Sequence, residues 1–197
     1  MAPGIDGVLL AGGCSCRAGV FKMETRIGGK PLLLWGLEAM AAACGRVIVV
    51  AGCDAEKIAA LVSRRPEVEL VINERYAEGM LSSVQAGVAR VRSPRFFLLP
   101  GDMPLVKPAV FSELLPHEAD VVVPACSGRR GHPVLIASRL LPGILAEPPG
   151  SSLGAFLRRQ ESVVVETGDP GVLADLDLAG DFEKIDALLK GAKRGQP

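Results

Sequence analysis

Ser15, Arg17 and Lys22 stand in one glycine-rich stretch, Leu10-Ala11-Gly12-Gly13-Cys14-Ser15-Cys16-Arg17-Ala18-Gly19-Val20-Phe21-Lys22, directly after the apolar run Gly7-Val8-Leu9-Leu10. Two adjacent glycines let a backbone turn tightly off a strand and present several N–H groups with no side chain in the way. Ser15 adds a hydroxyl donor, Arg17 a planar fork and Lys22 a compact point charge, and both cations suit phosphate oxygens. Such a loop is built to hold a triphosphate. It is not the G-x-x-x-x-G-K-[ST] phosphate loop, and the G-x-G-x-x-G dinucleotide fingerprint is absent as well.

Asp102 follows the apolar run Phe96-Phe97-Leu98-Leu99-Pro100 within Gly101-Asp102-Met103-Pro104. A carboxylate just past a strand can hold Mg²⁺, which takes one or two carboxylates and fills its octahedron with waters and phosphate oxygens. A turn aspartate bonded to nearby backbone has the same local sequence; the phosphate-type loop upstream favours the metal. In Leu173-Ala174-Asp175-Leu176-Asp177 two carboxylates fall two residues apart and share one side of an extended segment. Asp177 is the candidate second metal ligand, against the alternative of a helix N-cap. Glu78-Gly79-Met80-Leu81-Ser82-Ser83-Val84 places Ser82 and Ser83 at a helix start. There they suit a base or ribose edge or an anion, or simple capping. In Gly128-Arg129-Arg130-Gly131-His132-Pro133-Val134, the residues Arg130, Gly131 and His132 suggest capture of an anionic acceptor. His132 reads equally well as a turn residue bonded to backbone.

The elements that must position these groups alternate along the chain. Continuous apolar or β-branched runs at 7–10, 47–51, 69–72, 96–99 and 120–124 predict strands covered on both faces. Between them, 32–44, 56–63, 81–91 and 108–115 predict helices; Leu33, Leu37, Met40 and Ala41 mark one face of the first, and Asp54 is placed to cap the second. Repeated βα alternation predicts an α/β fold, a Rossmann-like open, mostly parallel sheet with helices on both faces. In such sheets ligands bind beyond the carboxyl ends of the strands, where the loops at 12–22 and 101–106 both fall. Beyond Pro124 the pattern changes: 126–133 reads as an excursion, 138–146 and 153–160 as helices broken by Pro148-Pro149-Gly150, 162–165 as a strand and 181–189 as a last helix. We expect one domain over 1–190 and a frayed tail at 191–197.

The chain has 197 residues, of which 49% are apolar and only 4% aromatic, so the core is aliphatic and of a size for one α/β domain. Lysine plus arginine equals aspartate plus glutamate at 22 each, a balance that argues against nucleic acid as a partner. No apolar run reaches membrane-span length, and the start of the chain makes a poor signal peptide. Cys14, Cys16, Cys44, Cys53 and Cys126 are an odd, scattered set that does not look like a disulfide framework, which points to the cytoplasm.

The first loop resembles the signature of nucleotidyltransferases that activate sugars, isoprenoid precursors and molybdopterin. With Gly29-Lys30-Pro31-Leu32-Leu33 and the motifs at 78–83, 101–104, 131–135 and 175–177, the chain is most similar to the molybdenum cofactor cytidylyltransferase group and its branch of selenium-dependent molybdenum hydroxylase accessory proteins. The resemblance implies an enzyme that moves a nucleoside monophosphate from an NTP onto the phosphate of a pterin and releases pyrophosphate. It implies that Leu10, Ala11, Gly12, Gly13, Ser15, Arg17, Lys22, Ser82, Ser83 and Gly101 bind the nucleotide, that Arg17, Lys22 and Asp102 are catalytic, and that Asp102 with Asp177 holds Mg²⁺. The loop at 128–133 would face the pterin, and a molybdenum hydroxylase apoenzyme would be a partner. Cytidylyl-transferring members read L-A-A-G where this chain has Leu10-Ala11-Gly12-Gly13, the guanylyl-transferring form. The later motifs are cytidylyl-like, so CTP is favoured and GTP is the alternative. Glu24 stands where many relatives carry an apolar residue. Two other readings stay open: transfer to a sugar phosphate or methylerythritol phosphate, and a non-catalytic protein that only binds the cofactor.

Overall fold

A computed structural model describes residues 4–12 and 21–175. The expected last helix at 181–189 and the tail at 191–197 lie outside the described residues. In chain order the elements are β1 (Asp6–Ala11), a small hairpin of β2 (Arg26–Ile27) and β3 (Lys30–Pro31), α1 (Leu32–Ala41), β4 (Arg46–Ala51), α2 (Ala55–Val62) and β5 (Val68–Ile72). There follow α3 (Met80–Val88), β6 (Arg95–Pro100), α4 (Pro108–Leu114), β7 (Val121–Cys126), β8 (Arg129–Arg130), β9 (Val134–Ala137), α5 (Leu141–Ala146), α6 (Leu153–Leu157) and β10 (Ser162–Glu166).

The main sheet runs in the order β10-β7-β9-β6-β1-β4-β5, with β8 attached to β7. β1 lies parallel to both β4 and β6, β4 to β5, and β7 to β10. The mostly parallel sheet expected from the βα alternation is therefore present, with two strands that the sequence pattern did not mark, β9 and the two-residue β8. β9 is inserted between β6 and β7 and runs antiparallel to both. Its four residues, Val-Leu-Ile-Ala, are too few to show a period, and the short return from β7 through β8 admits only an antiparallel partner.

Alternation along the strands divides the core. Leu9, Val47, Val49, Phe97 and Leu99 face α1, α2 and α4 in one apolar cluster, while Val8, Leu10, Ile48, Val50, Phe96 and Leu98 face α3, α5 and α6 in the other. Leu33, Leu37 and Met40 of α1 are fully buried, as the helical spacing predicted. Asp54 does occupy the position before α2, but its side chain makes no capping bond; it pairs instead with Lys57 at 3.0 Å. The expected helix at 138–146 opens as a 3-10 turn, Ser138–Leu140, and becomes α-helical only where Pro142 falls in the first turn, the one place its missing N–H costs nothing. Among the described residues Cys44 and Cys126 are free thiols. Burial, with the Asp6 carboxylate nearby, pushes Cys44 up to about 12, leaving it an inert core residue.

Candidate active site

The parallel register aligns Ala11 with Ala51 and Leu10 with Pro100, so the chain leaves β1, β4 and β6 at one edge. Gly101 extends that edge by donating its N–H to the Leu10 carbonyl at 2.8 Å. The next residue, Asp102, is held between Gly101 and the buried Met103 and Pro104. Lys22 opens a 3-10 turn, Lys22–Glu24, whose flanking residues Phe21 and Met23 are buried in the α1-side core. Two apolar anchors thus leave the intervening lysine directed at the site. Lys22 Nζ donates to Asp102 Oδ2 at 3.0 Å, with both side chains about one-fifth exposed.

Leu10, Ala11 and Gly12 close β1 at the same edge. Gly13, Ser15, Arg17 and Asp177 fall on residues outside those described, as do Cys14 and Cys16. Ser82 and Ser83 are buried in the first turns of α3, and neither is its N-cap, since Gly79 occupies that position without a side-chain cap. They belong instead to a network around Asn73, which the sequence reading missed. Asn73 Nδ2 donates to Ser82 Oγ at 2.8 Å and to Ser83 Oγ at 3.0 Å, and Asn73 Oδ1 accepts from the Arg75 N–H at 3.0 Å. The signal available was a lone asparagine following the strand-like Leu70-Val71-Ile72, at the ligand edge of the sheet.

The residues expected to meet an acceptor, Arg130, Gly131 and His132, come from the return between β7 and β9. Glu166 accepts from the Ser127 and Gly128 N–H groups and so tethers the turn that carries Arg129 and Arg130. Gly131 passes so close to the Val172 carbonyl that a Cβ would lie 2.1 Å from its oxygen. His132 donates its backbone N–H to that carbonyl at 2.9 Å, and the His132–Pro133 peptide is cis. His132 is therefore a backbone-bonded turn residue, and its ring is also open to chemistry. Its Nδ1 is buried and has no hydrogen-bond partner among the described residues. Burial pushes the imidazole below its ordinary value, against the opposing pull of the Asp102 carboxylate, the Leu98 backbone and the Asp175 carboxylate. In the neutral ring the one N–H is taken by the Leu98 backbone, which leaves the buried Nδ1 as a hydrogen-bond acceptor.

A cavity of about 690 Å³ opens beside this ring. Leu10, Leu98 and Pro100 line it from the strand ends, Met80, Leu81 and Val84 from α3, and Arg130, Ser151, Ser152 and Arg158 from the rim. Gln85 braces the wall by reaching the carbonyls of Ile144, Leu145 and Glu147, which ties α3 to the α5–α6 segment. Arg158 and Met80 were not expected; nothing in the polar run Arg158-Arg159-Gln160 distinguishes the first arginine, and Met80 reads as an ordinary helix residue. A second cavity, about 470 Å³ and lined by Trp35, Leu105 and Val106, contains Lys30 and Lys107, and both are ion-paired, with Glu38 and Asp169.

Among the described residues no three His, Cys, Asp or Glu side chains gather into a metal site. A single carboxylate beside a lysine, open on one side, nevertheless suits a hard cation that keeps most of its ligands as waters and phosphate oxygens. No helix of the described residues is long and apolar enough to cross a membrane.

Comparison with known proteins bears on the family and the fold. The sequence profile of the MobA-like NTP transferase domain matches residues 7–163. The chain is 27% identical to the molybdenum cofactor cytidylyltransferase of Escherichia coli K12, over 90% of this chain and 93% of that protein. It is 28% identical to the nicotine blue oxidoreductase of Paenarthrobacter nicotinovorans, over 95% and 96% of the two chains. In fold it resembles a nucleotidyl transferase from Methanothermobacter, with a TM-score of 0.85, 20% identity and coverage of 96% of this chain and 99% of the other.

Proposed function

Because the chain belongs to the MobA-like NTP transferase family, we propose that it transfers a nucleoside monophosphate from an NTP to the phosphate of molybdopterin or the molybdenum cofactor, releasing pyrophosphate. The observation that carries this reading is the meeting of Lys22 and Asp102 at 3.0 Å on the strand-end edge, beside a cavity with arginines on its rim.

The reaction makes one bond and breaks one. An oxygen of the acceptor phosphate attacks the α-phosphorus in line, and the bond from that phosphorus to the bridging oxygen of the β-phosphate breaks. The nucleophile is already an anion, so no strong general base is required. Catalysis rests on positioning and on charge neutralisation. Lys22, joined by Arg17, stabilises charge on the leaving pyrophosphate and on the α-phosphate. Gly12, Gly13 and Ser15 hold the triphosphate, and Leu10, Ala11, Ser82, Ser83 and Gly101 complete the nucleotide site. Asp102 and Asp177 would hold Mg²⁺, which when bound neutralises phosphate charge. Arg130, Gly131 and His132 face the acceptor, whose flat body fits the apolar wall of the cavity while its anionic groups meet the rim.

CTP is the favoured nucleotide, supported by the cytidylyl-like later motifs; Gly12 and Gly13 make GTP the alternative. One domain over 1–190 performs the reaction in the cytoplasm, and a molybdenum hydroxylase apoenzyme receives the product. The test is to incubate the protein with each of the four NTPs, Mg²⁺ and molybdopterin, and to identify the pterin product by mass spectrometry. A cytidylylated or guanylylated pterin is expected. Turnover only with a sugar phosphate or methylerythritol phosphate overturns the acceptor, and nucleotide binding without any turnover overturns catalysis.

A further inference from the structure

The 3-10 turn Pro170–Leu173 touches both of the loops assigned to the substrates. One contact is with the segment that follows Asp102. A Cβ built on Gly171 would lie 2.3 Å from the Leu105 carbonyl oxygen, so backbone rests on backbone there and no side chain fits. The other contact is with the return that carries Arg130 and His132. Gly131 admits the Val172 carbonyl in the same way, and that carbonyl accepts the His132 N–H at 2.9 Å. Val172 itself is fully buried. The turn therefore joins the two loops through two backbone contacts that have no slack, and it sets how far apart they stand.

The local sequence explains the turn. Gly168 bends the chain at a φ of 64°. Asp169 then caps the turn, its Oδ1 accepting the Gly171 N–H at 2.9 Å, and Pro170 takes the first position, where a missing N–H costs nothing. The other carboxylate oxygen, Oδ2, lies 3.0 Å from Lys107 Nζ, on the segment that follows Asp102. The Asp169 side chain is 14% exposed and that of Lys107 68%, so the ion pair is screened and the cap is the stronger hold. Asp175 comes directly after the turn. Its carboxylate and that of Asp102 both act on the His132 ring, so the two acids stand within reach of one imidazole. The chain reaches Asp177, the second candidate metal ligand, two residues later.

We infer that Asp169 is a positioning residue of the transfer site: by capping the turn at 170–173 it locks that turn against Leu105 and Gly131, and so sets Asp175 against Asp102 and His132. What the two acids do once they are so placed, which is to favour a divalent cation beside the phosphates, rests on the nucleotidyl-transfer reading; the spacing does not. Gly131 serves the site by admitting the turn, and Asp169 acts through the turn without touching a substrate.

The test compares Asp169→Ala, Asp169→Asn and Lys107→Ala with the wild type, each held well below its own Tm. Asparagine keeps an oxygen that accepts the Gly171 N–H and loses the charge; alanine loses both. Calorimetric titration of Mn²⁺, alone and with CTP, reads the carboxylates. The ring signals of His132 in nitrogen-15 NMR read the spacing with no metal or substrate present, and His117 is the only other histidine in the chain. Asp169→Ala should weaken Mn²⁺ binding about tenfold, the usual loss when a group that orients a ligand is removed, and should shift the His132 signals. Asp169→Asn and Lys107→Ala should keep both near wild type. Unchanged His132 signals in Asp169→Ala overturn the positioning role, and a shift with unchanged Mn²⁺ affinity overturns its link to the cation. An Asp169→Asn or Lys107→Ala protein as impaired as Asp169→Ala overturns the cap as the cause. A wild type that binds no Mn²⁺ removes the cation, while the NMR comparison still decides the spacing. A wild type that binds Mn²⁺ but releases no pyrophosphate from any NTP with a pterin acceptor removes the transfer reading and leaves the positioning role standing.

Discussion

Lys22 Nζ and Asp102 Oδ2 meet at 3.0 Å across eighty residues of sequence. They do so because β1 and β6 are hydrogen-bonded parallel neighbours, and the segments that follow both strands emerge at one edge. An ammonium and a carboxylate in contact are matched to opposite halves of one substrate: the lysine to phosphate oxygens, the carboxylate to the cation that accompanies them.

Asp102→Asn keeps the shape and loses the charge. Pyrophosphate release should fall below detection while the fold persists, because the Lys22 contact contributes little at a partly exposed edge. Circular dichroism and a pyrophosphate assay on the same sample check this; a folded variant with near wild-type release would remove the metal assignment.

Lys22→Ala should lower kcat by about 10²–10³ and weaken NTP binding much less, because charge grows on the leaving oxygens in the transition state. Steady-state kinetics together with direct NTP titration separate the two. A rise confined to KM would make Lys22 a ground-state anchor instead.

Arg158 stands on the cavity rim with Arg130. Arg158→Gln should raise KM for the pterin acceptor about tenfold and leave KM for the NTP unchanged, since a guanidinium contact to an anion is charge-assisted and Arg158 lines the cavity proposed for the acceptor. Equal effects on both substrates would place Arg158 outside the acceptor site.

Asp6 lies at the opposite edge of the sheet from the site. Burial opposes its charge, but the Arg46 fork and the N–H groups of Arg92 and Ser93 outweigh that and hold its carboxyl below the usual carboxylate value. A group depressed in the folded state stabilises the fold above its unfolded value, near 3.8, and loses that contribution as pH falls through its folded value. Asp6→Asn should therefore cost about 2 kcal/mol at pH 7. The gap from wild type should narrow progressively below about pH 4. Urea unfolding at pH 7 and pH 3 measures it; a gap of equal size at both values would show that packing, not charge, is lost.

Much of this arrangement was legible in the residues. The parallel half of the sheet announced itself because its strands are apolar on every residue, and Asp102 stood out because a phosphate-type loop upstream favoured a metal over an ordinary turn aspartate. Lys22 was found from its spacing to the glycines, and the fold then supplied Asp102 as its partner. The misses share a cause. β9 is too short to carry a period, the Asp54 side chain chose an ion pair over its cap, and Asn73 and Arg158 acquire meaning only from neighbours far along the chain. Local pattern reports which face of an element is buried; it does not report which distant polar group arrives at the other end.

The reversed strand β9 has a consequence for how the two substrates are divided along the chain. Because β9 runs against β6 and β7, its beginning, and not its end, lies at the ligand edge. On the proposed reading, the nucleotide residues lie in the forward-running segments up to Asp102, while Arg130, Gly131 and His132 lie in an excursion that leaves β7 and re-enters at Val134. The excursion takes no part in the pairing of β1 with β6, whose register is set by residues 6–10 and 96–100. On that reading, a change of length in the excursion alters what meets the acceptor and leaves the strands that carry Lys22 and Asp102 in register.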